Sequence, residues 1–436
     1  MRPTNTSSRP INAPAAPTNL NCGAAPLGRS QPPGRLSPSL LILLAATSLA
    51  APAQFHVYVG QITSRSALLA WGSTRGINTI GRSSPNAGKA EVTIDGQPVS
   101  IPPGKNWVDL PLSPDTRYHY KVVLDGRAIG EGDLRTYPNQ ADRMCFLVIG
   151  DYGNAKPENQ VPLAQAMTAR VADQDKLGNP VRFVLTTGDN IYGKLNLFWR
   201  SQTGDSDSHW ETRFFAPYAE VLRSVPFYPS VGNHDGSESE NEGDLKVYLD
   251  NFFPPGQVRA EGRYYSFSYA NLADFFALDS TKNLPLIGIH AGSEQFRWAE
   301  EGLKASQARW KIPYYHHPRF CGGPEHASDL RLEDLVRSFE NQGVAVIFNG
   351  HEHNWQPIEQ KTANGRLLYH IITGAGGELR GGHPGSTSFE GGRAKVADWV
   401  PRLHFTLVEI AGSRMTITPI GADNRPVGKA LVVTLP

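Results

Sequence analysis

Five short stretches of this chain carry side chains that can bind a metal ion or move a proton. They are Gly150-Asp151-Tyr152-Gly153, Gly188-Asp189-Asn190-Ile191-Tyr192, Gly232-Asn233-His234-Asp235, His316, and Gly350-His351-Glu352-His353. The donors are imidazole and carboxylate with one phenol and no thiol, a set that suits hard or borderline ions such as Fe, Zn or Mn rather than a cysteine-bound zinc. Together they exceed what one ion can take. Two ions sharing a bridging carboxylate would use them all, and two metals about 3.5 to 4 Å apart form a clamp for in-line displacement at phosphorus.

Each stretch follows an apolar run without alternation, at 146–150, 183–188, 227–232, 312–316 and 344–350. Strands buried on both faces have this pattern. Helix-like segments lie between them at 161–172, 293–305 and 330–341, so an α/β layered domain is expected, with its site beyond the carboxyl ends of the strands. Ahead of it, residues 55–137 read as a small all-β unit, with alternating runs at 55–61, 66–71, 91–94 and 106–110. In 116–124, Tyr118, Tyr120 and Val122 alternate with polar residues, and Asp125-Gly126 supplies a two-residue hairpin turn. Trp71 is the expected core aromatic. Pro138 and the polar stretch 139–142 mark the boundary between the two parts.

Composition excludes some classes of function. The 436 residues carry 42 Lys plus Arg against 41 Asp plus Glu, a net charge of +1, with no basic run, so no nucleic-acid-binding surface is expected. Cys22, Cys145 and Cys321 are too few and too scattered for a disulfide framework or a structural zinc site, and nothing in the sequence pairs Cys145 with Cys321. The first 54 residues contain no Asp or Glu, carry Arg29 and Arg35, and lead through the apolar run 40–44 to Ala51-Pro52-Ala53. This reads as a secretory signal ending near Gln54, because the apolar run, about a dozen residues, falls short of the roughly 20 that a spanning helix needs. An uncleaved membrane anchor is the alternative. The expected location is secreted or periplasmic, with no membrane span after cleavage.

In this order the five blocks resemble those of the calcineurin-like metallophosphoesterases, and Tyr192, three residues after Asp189, makes the chain similar to the purple acid phosphatases among them. The resemblance covers 143 to about 410. It implies a four-layer α/β (α+β) metallophosphoesterase sandwich over 143–436, two mixed sheets flanked by helices. A fibronectin type III-like (immunoglobulin-like) β-sandwich over 54–138 would precede it, after an N-terminal extension over 1–53. By motif it assigns Asp151, Tyr192 and His353 to an Fe(III) site and Asn233, His316 and His351 to a divalent site of Fe, Zn or Mn, with Asp189 bridging. It implies that His234 binds the phosphoryl group and that His326, ten residues after His316, meets substrate and protonates the leaving group. His317 should either back the ligands from behind or be purely structural, since neighbours on an extended segment point to opposite sides. Gly374-Ala375-Gly376-Gly377 reads as a tight turn near the site and not a phosphate cradle, because no P-loop lysine follows. The segment 195–209, polar after Trp199 and containing Asp205, reads as an insertion near the site. The expected activity is that of an acid phosphatase on small phosphate monoesters, through attack of a metal-held hydroxide on phosphorus. A phosphodiesterase or nucleotide phosphohydrolase on the same centre, and a non-enzymatic cell-surface binding module, are the alternatives.

Overall fold

Alternating sequence ahead of Pro138 gives seven strands: β1 (His56–Ile62), β2 (Ser66–Gly72), β3 (Ala90–Ile94), β4 (Gln97–Val99), β5 (Trp107–Pro111), β6 (Arg117–Leu124) and β7 (Arg127–Arg135). They pair antiparallel into a three-stranded sheet, β1-β2-β5, and a four-stranded sheet, β4-β3-β6-β7. The β6–β7 turn is Asp125-Gly126, both with positive φ (49° and 78°), the twist a two-residue hairpin needs. Trp71 is fully buried in a core with Val59, Leu69, Val108, Tyr120 and Val122. The computed structural model describes residues 54–74, 79–154, 156–192, 207–235, 245–282 and 288–436. The expected leader, Cys22 and most of the expected insertion, including Asp205, lie outside them.

The five apolar runs become β8 (Arg143–Ile149), β9 (Val181–Thr186), β10 (Phe227–Pro229), β14 (Trp310–Tyr314) and β15 (Val346–Asn349), and three strands that the sequence reading did not include, β11 (Gln257–Arg259), β12 (Tyr264–Tyr269) and β13 (Ala273–Ala277), lie between β10 and β14. Seven further strands follow: β16 (Trp355–Lys361), β17 (Leu367–Thr373), β18 (Ser388–Phe389), β19 (Ala394–Val396), β20 (Phe405–Ala411), β21 (Arg414–Ile420) and β22 (Leu431–Thr434). They form a six-stranded sheet, β10-β9-β8-β20-β21-β22, and a nine-stranded one, β11-β12-β13-β14-β15-β17-β16-β19-β18. Both sheets are mixed. The strands that carry the five blocks run parallel within their sheets, β8 with β9 and β10, and β14 with β15.

The helices are α1 (Pro157–Lys176), α2 (Asp207–Trp210), α3 (Ala216–Leu222), α4 (Lys246–Asn251), α5 (Glu294–Ala305) and α6 (Glu333–Asn341), with a π turn at Glu211–Phe215. In β8, Met144, Phe146 and Val148 pack between the sheets against Phe275, Ile312 and Phe348, while Cys145, Leu147 and Ile149 pack toward Leu163 and Met167 of α1. This two-faced burial is why the run does not alternate. On the far side, Phe276 and Ile347 pack against Leu303 of α5 and Leu335 and Phe339 of α6. The order helix, sheet, sheet, helix is the four-layer α/β sandwich that the resemblance implied.

The described residues form one compact unit. The N-terminal sheets are tied to the layered part by hydrogen bonds: His56 Nε2 lies 2.8 Å from Glu211 Oε2 and Ile62 N donates to Tyr228 OH at 3.0 Å, both buried, and the part-buried Tyr120 OH donates to Arg223 O at 2.7 Å. Cys145 and Cys321 are buried free thiols. Among the described residues no helix is long and apolar enough to cross a membrane.

Candidate metal centre

The five blocks converge because the chain turns sharply at the end of each strand. Asp151, Asp189 and His351 adopt left-handed backbone conformations, with φ of 55°, 51° and 72°. Such conformations cost about 1 to 3 kcal/mol each and cluster at functional sites. The glycines of the motifs answer a second demand, close approach of one loop to the next. A Cβ on Gly232 would sit 2.1 Å from Asp189 N and 2.2 Å from its Oδ1, and one on Gly350 would sit 2.5 Å from Asp151 Oδ2.

The side chains fall into two groups joined at Asp189. In one, His353 Nε2 lies 3.2 Å from Tyr192 OH and 3.4 Å from Asp151 Oδ1, and Tyr192 OH is 3.4 Å from that same oxygen. In the other, His316 Nε2 lies 2.8 Å from Asn233 Oδ1 and 3.1 Å from His351 Nδ1. Asp189 Oδ2 is 3.3 Å from His316 Nε2, and Asp151, Asp189 and His316 offer ligand atoms within 4.8 Å of one another. All seven residues expected as ligands are therefore in the cluster.

The chemistry of these contacts fits a cation. Asp151 and Asp189 are at most 1% exposed, and burying carboxylates without compensating charge is prohibitively costly. His316 Nδ1 lies 2.8 Å from Thr187 O, to which it can donate, so in the neutral ring the Nε2 lone pair faces Asn233, Asp189 and His351. Burial pushes the His316 imidazolium down, but Asp189 and Asp151 outweigh it and raise the group, so a proton occupies the position when no metal does. Burial and then the charge of His316 push His351 down. Burial, followed by Asp189 and Asp151, pushes the Tyr192 phenol well up. A bound cation would reverse the carboxylate contribution and favour phenolate.

The other expected residues sit around this cluster. His234 is half-buried, donates its backbone N–H to Asp189 Oδ1 at 2.8 Å, and stacks on Tyr192 with centroids 4.3 Å apart. His326 stacks on His351 at 3.8 Å and 28°. His317 does not point to the opposite side as strand alternation predicts, because the chain has already left β14 at Tyr314: its ring lies 4.5 Å from His351, with Nδ1 3.0 Å from Ser280 Oγ. Asp235 turns away from the cluster, and its carboxylate accepts from Gly232 N, Ile191 N and Asn190 Nδ2 at 2.7 to 3.0 Å, bracing one loop against another. Gly374-Ala375-Gly376-Gly377 is a close-packed turn, with Gly376 N donating to Gly150 O at 3.0 Å. Sequence reasoning gave Glu352 and Glu378 no role. Glu352 is fully buried under His326, and Glu378 Oε2 lies 3.9 Å from the buried Nδ1 of His353.

Known proteins are similar to this chain in sequence and in fold. The calcineurin-like phosphoesterase family matches residues 144–355. Purple acid phosphatase 17 of Arabidopsis thaliana is 26% identical over 269 residues, covering 57% of this chain and 73% of that protein, and purple acid phosphatase 4 of the same plant is 27% identical over 248 residues, covering 52% and 68%. Among solved structures, a purple acid phosphatase from yellow lupin (Lupinus luteus) seeds superposes with a TM-score of 0.67 at 16% identity, covering 88% of this chain and 75% of that one. PhoD superposes at 0.59 with 12% identity, covering 87% and 88%. These structural likenesses, at such identities, bear on the fold. Residues 144–355 thus form a calcineurin-like phosphoesterase domain, and the chain is a phosphoesterase hydrolase homologous to the purple acid phosphatases.

Proposed function

We propose that this chain is an exported acid phosphatase that hydrolyses small phosphate monoesters at a dinuclear metal centre. The observation that carries the reading is the pair of donor groups meeting at Asp189. On this reading Asp151, Tyr192 and His353 would hold Fe(III), Asn233, His316 and His351 would hold a divalent ion (Fe, Zn or Mn), and Asp189 would serve both. A phenolate is a strong donor to a trivalent ion, and the amide oxygen of Asn233 is a weak one suited to a divalent ion. When bound, the metals supply positive charge for the phosphoryl oxygens and lower the pKa of water enough for it to act as nucleophile in acid. His234, held over Tyr192 with its backbone fixed to Asp189, binds a phosphoryl oxygen. His326, held against His351, donates the proton that the leaving oxygen needs. The apolar leader supports export, and two small antiparallel sheets around Trp71 support the fibronectin type III-like reading of 54–138.

The test is turnover of a panel of phosphate monoesters and diesters by metal-analysed protein. Faster hydrolysis of monoesters, with an acidic or near-neutral optimum, is the expected result; preference for diesters would replace this reading with a phosphodiesterase on the same centre.

A further inference from the structure

The Gly350-His351-Glu352-His353 block has two faces. His351 and His353 turn to the donor cluster, and the alternate residues Glu352, Asn354 and Gln356 turn to the loop that carries His326. Glu352 has no exposed surface. Its Oε2 accepts the backbone N–H of His326 at 2.8 Å and lies 3.2 Å from Nδ1 of the same residue, while its Oε1 accepts from Asn354 Nδ2 at 3.3 Å. Asn354 Oδ1 in turn accepts from Gln356 Nε2 at 2.6 Å, and Gln356 Oε1 accepts from Gly322 N at 2.9 Å. Among the described residues no Lys or Arg pairs with Glu352, and His326 is its ion-pair partner. His326 is held at its backbone by Glu352 and, through stacking on His351, on one ring face, while Nδ1 lies within ion-pair distance of Oε2 but makes no hydrogen bond. Nδ1 is sealed from solvent although 28% of the side chain is exposed, so the accessible edge is the one away from Nδ1.

The geometry points to Glu352 as the positioning residue that aims His326 at the leaving oxygen, with Asn354 and Gln356 completing the cradle. This rests on the reading of His326 as proton donor given above. A carboxylate 3.2 Å from the buried Nδ1 leaves Nε2 as the accessible atom, and the backbone bond together with the stacking contact fixes the main chain and the ring that it carries. Small misplacement of a proton donor is costly in rate, since transfer requires hydrogen-bond reach.

The test uses full-length, metal-loaded protein in five forms: wild type, Glu352→Ala, Glu352→Gln, His326→Ala, and the Glu352→Ala/His326→Ala double variant. kcat is measured on an alkyl phosphate and an activated aryl phosphate, alongside metal content and the affinity for inorganic phosphate. Glu352→Ala is expected to lose roughly 10-fold or more on the alkyl phosphate, a share of the 10²- to 10⁴-fold that general acid catalysis supplies, and much less on the aryl phosphate, with metal content unchanged. The double variant should lose no more than His326→Ala alone. Glu352→Gln, which keeps an oxygen for the His326 N–H, should recover part of the loss. Additive losses in the double variant, or equal losses on both substrates while His326→Ala still discriminates between them, would overturn the proposal. Metal loss in both Glu352 variants would also overturn it, by assigning Glu352 to holding the block together. If His326→Ala shows no leaving-group dependence, the proton-donor reading fails instead, and non-additive changes in phosphate affinity would keep Glu352 as the residue that positions His326.

Discussion

At the scale of residues, the cluster gathers oxygen and nitrogen donors that protons hold together where a cation could. Tyr192 OH, His353 Nε2 and Asp151 Oδ1 stand within 3.4 Å of one another, with the phenol donating to the carboxylate, and a cation would take the place of the protons they share. If Tyr192 binds Fe(III) as phenolate, the loaded protein absorbs in the visible and Tyr192→Phe bleaches it; iron-loaded wild type without a visible band would remove Tyr192 from the ligand set. The two imidazoles outside the cluster should separate by leaving group. His326→Ala is expected to slow alkyl phosphates by roughly 10²-fold or more and activated aryl phosphates far less, whereas His234→Ala slows both alike, with metal retained in each. Proton linkage follows from His316. Its carboxylate neighbours raise it in the metal-free state, so at neutral pH metal and proton compete for Nε2. Loading should release protons and weaken as pH falls, which calorimetry in buffers of different ionisation enthalpy would read; loading without proton release would mean that His316 is neutral before metal binds.

At the scale of elements, three of the five strand ends are turned by a left-handed residue, Asp151, Asp189 or His351, and the loops approach one another closely at Gly232 and Gly350. Gly232→Ala should push the Asp189 backbone and carboxylate out of place, and is expected to cut metal content while leaving the circular dichroism of the fold intact; full metal retention would show that the loops yield. These strand ends were legible in the sequence because buried two-faced strands announce themselves as unbroken apolar runs, and a polar cluster at the end of each run stands out. β20 was harder to place. It lies between β8 and β21 in its sheet although some 260 residues separate it from β8 in the chain, and no local pattern encodes that pairing. His317 shows a related limit, since alternation holds only while the strand lasts. Glu352 was missed because a buried acid beside two histidines reads as part of the metal block until its own partner, His326, is seen.

At the scale of the whole molecule, the N-terminal sheets are built into the same unit as the layered part. Tyr228 of β10 bonds both Ile62 N and Tyr137 OH, so the strand leading to Asn233 is braced from outside its own sheet. Trp71→Ala should cost about 3 to 5 kcal/mol, the usual loss for a buried aromatic, and lower one cooperative transition in a urea melt; a second, separate transition would show that the N-terminal part unfolds alone. The central claim is that seven side chains serve two ions through one shared carboxylate, and metal analysis of the exported, unchelated protein tests it most directly. Two ions per wild-type chain are predicted, with Asn233→Ala keeping about one and Asp189→Ala disturbing both; one ion or none per wild-type chain would contradict it.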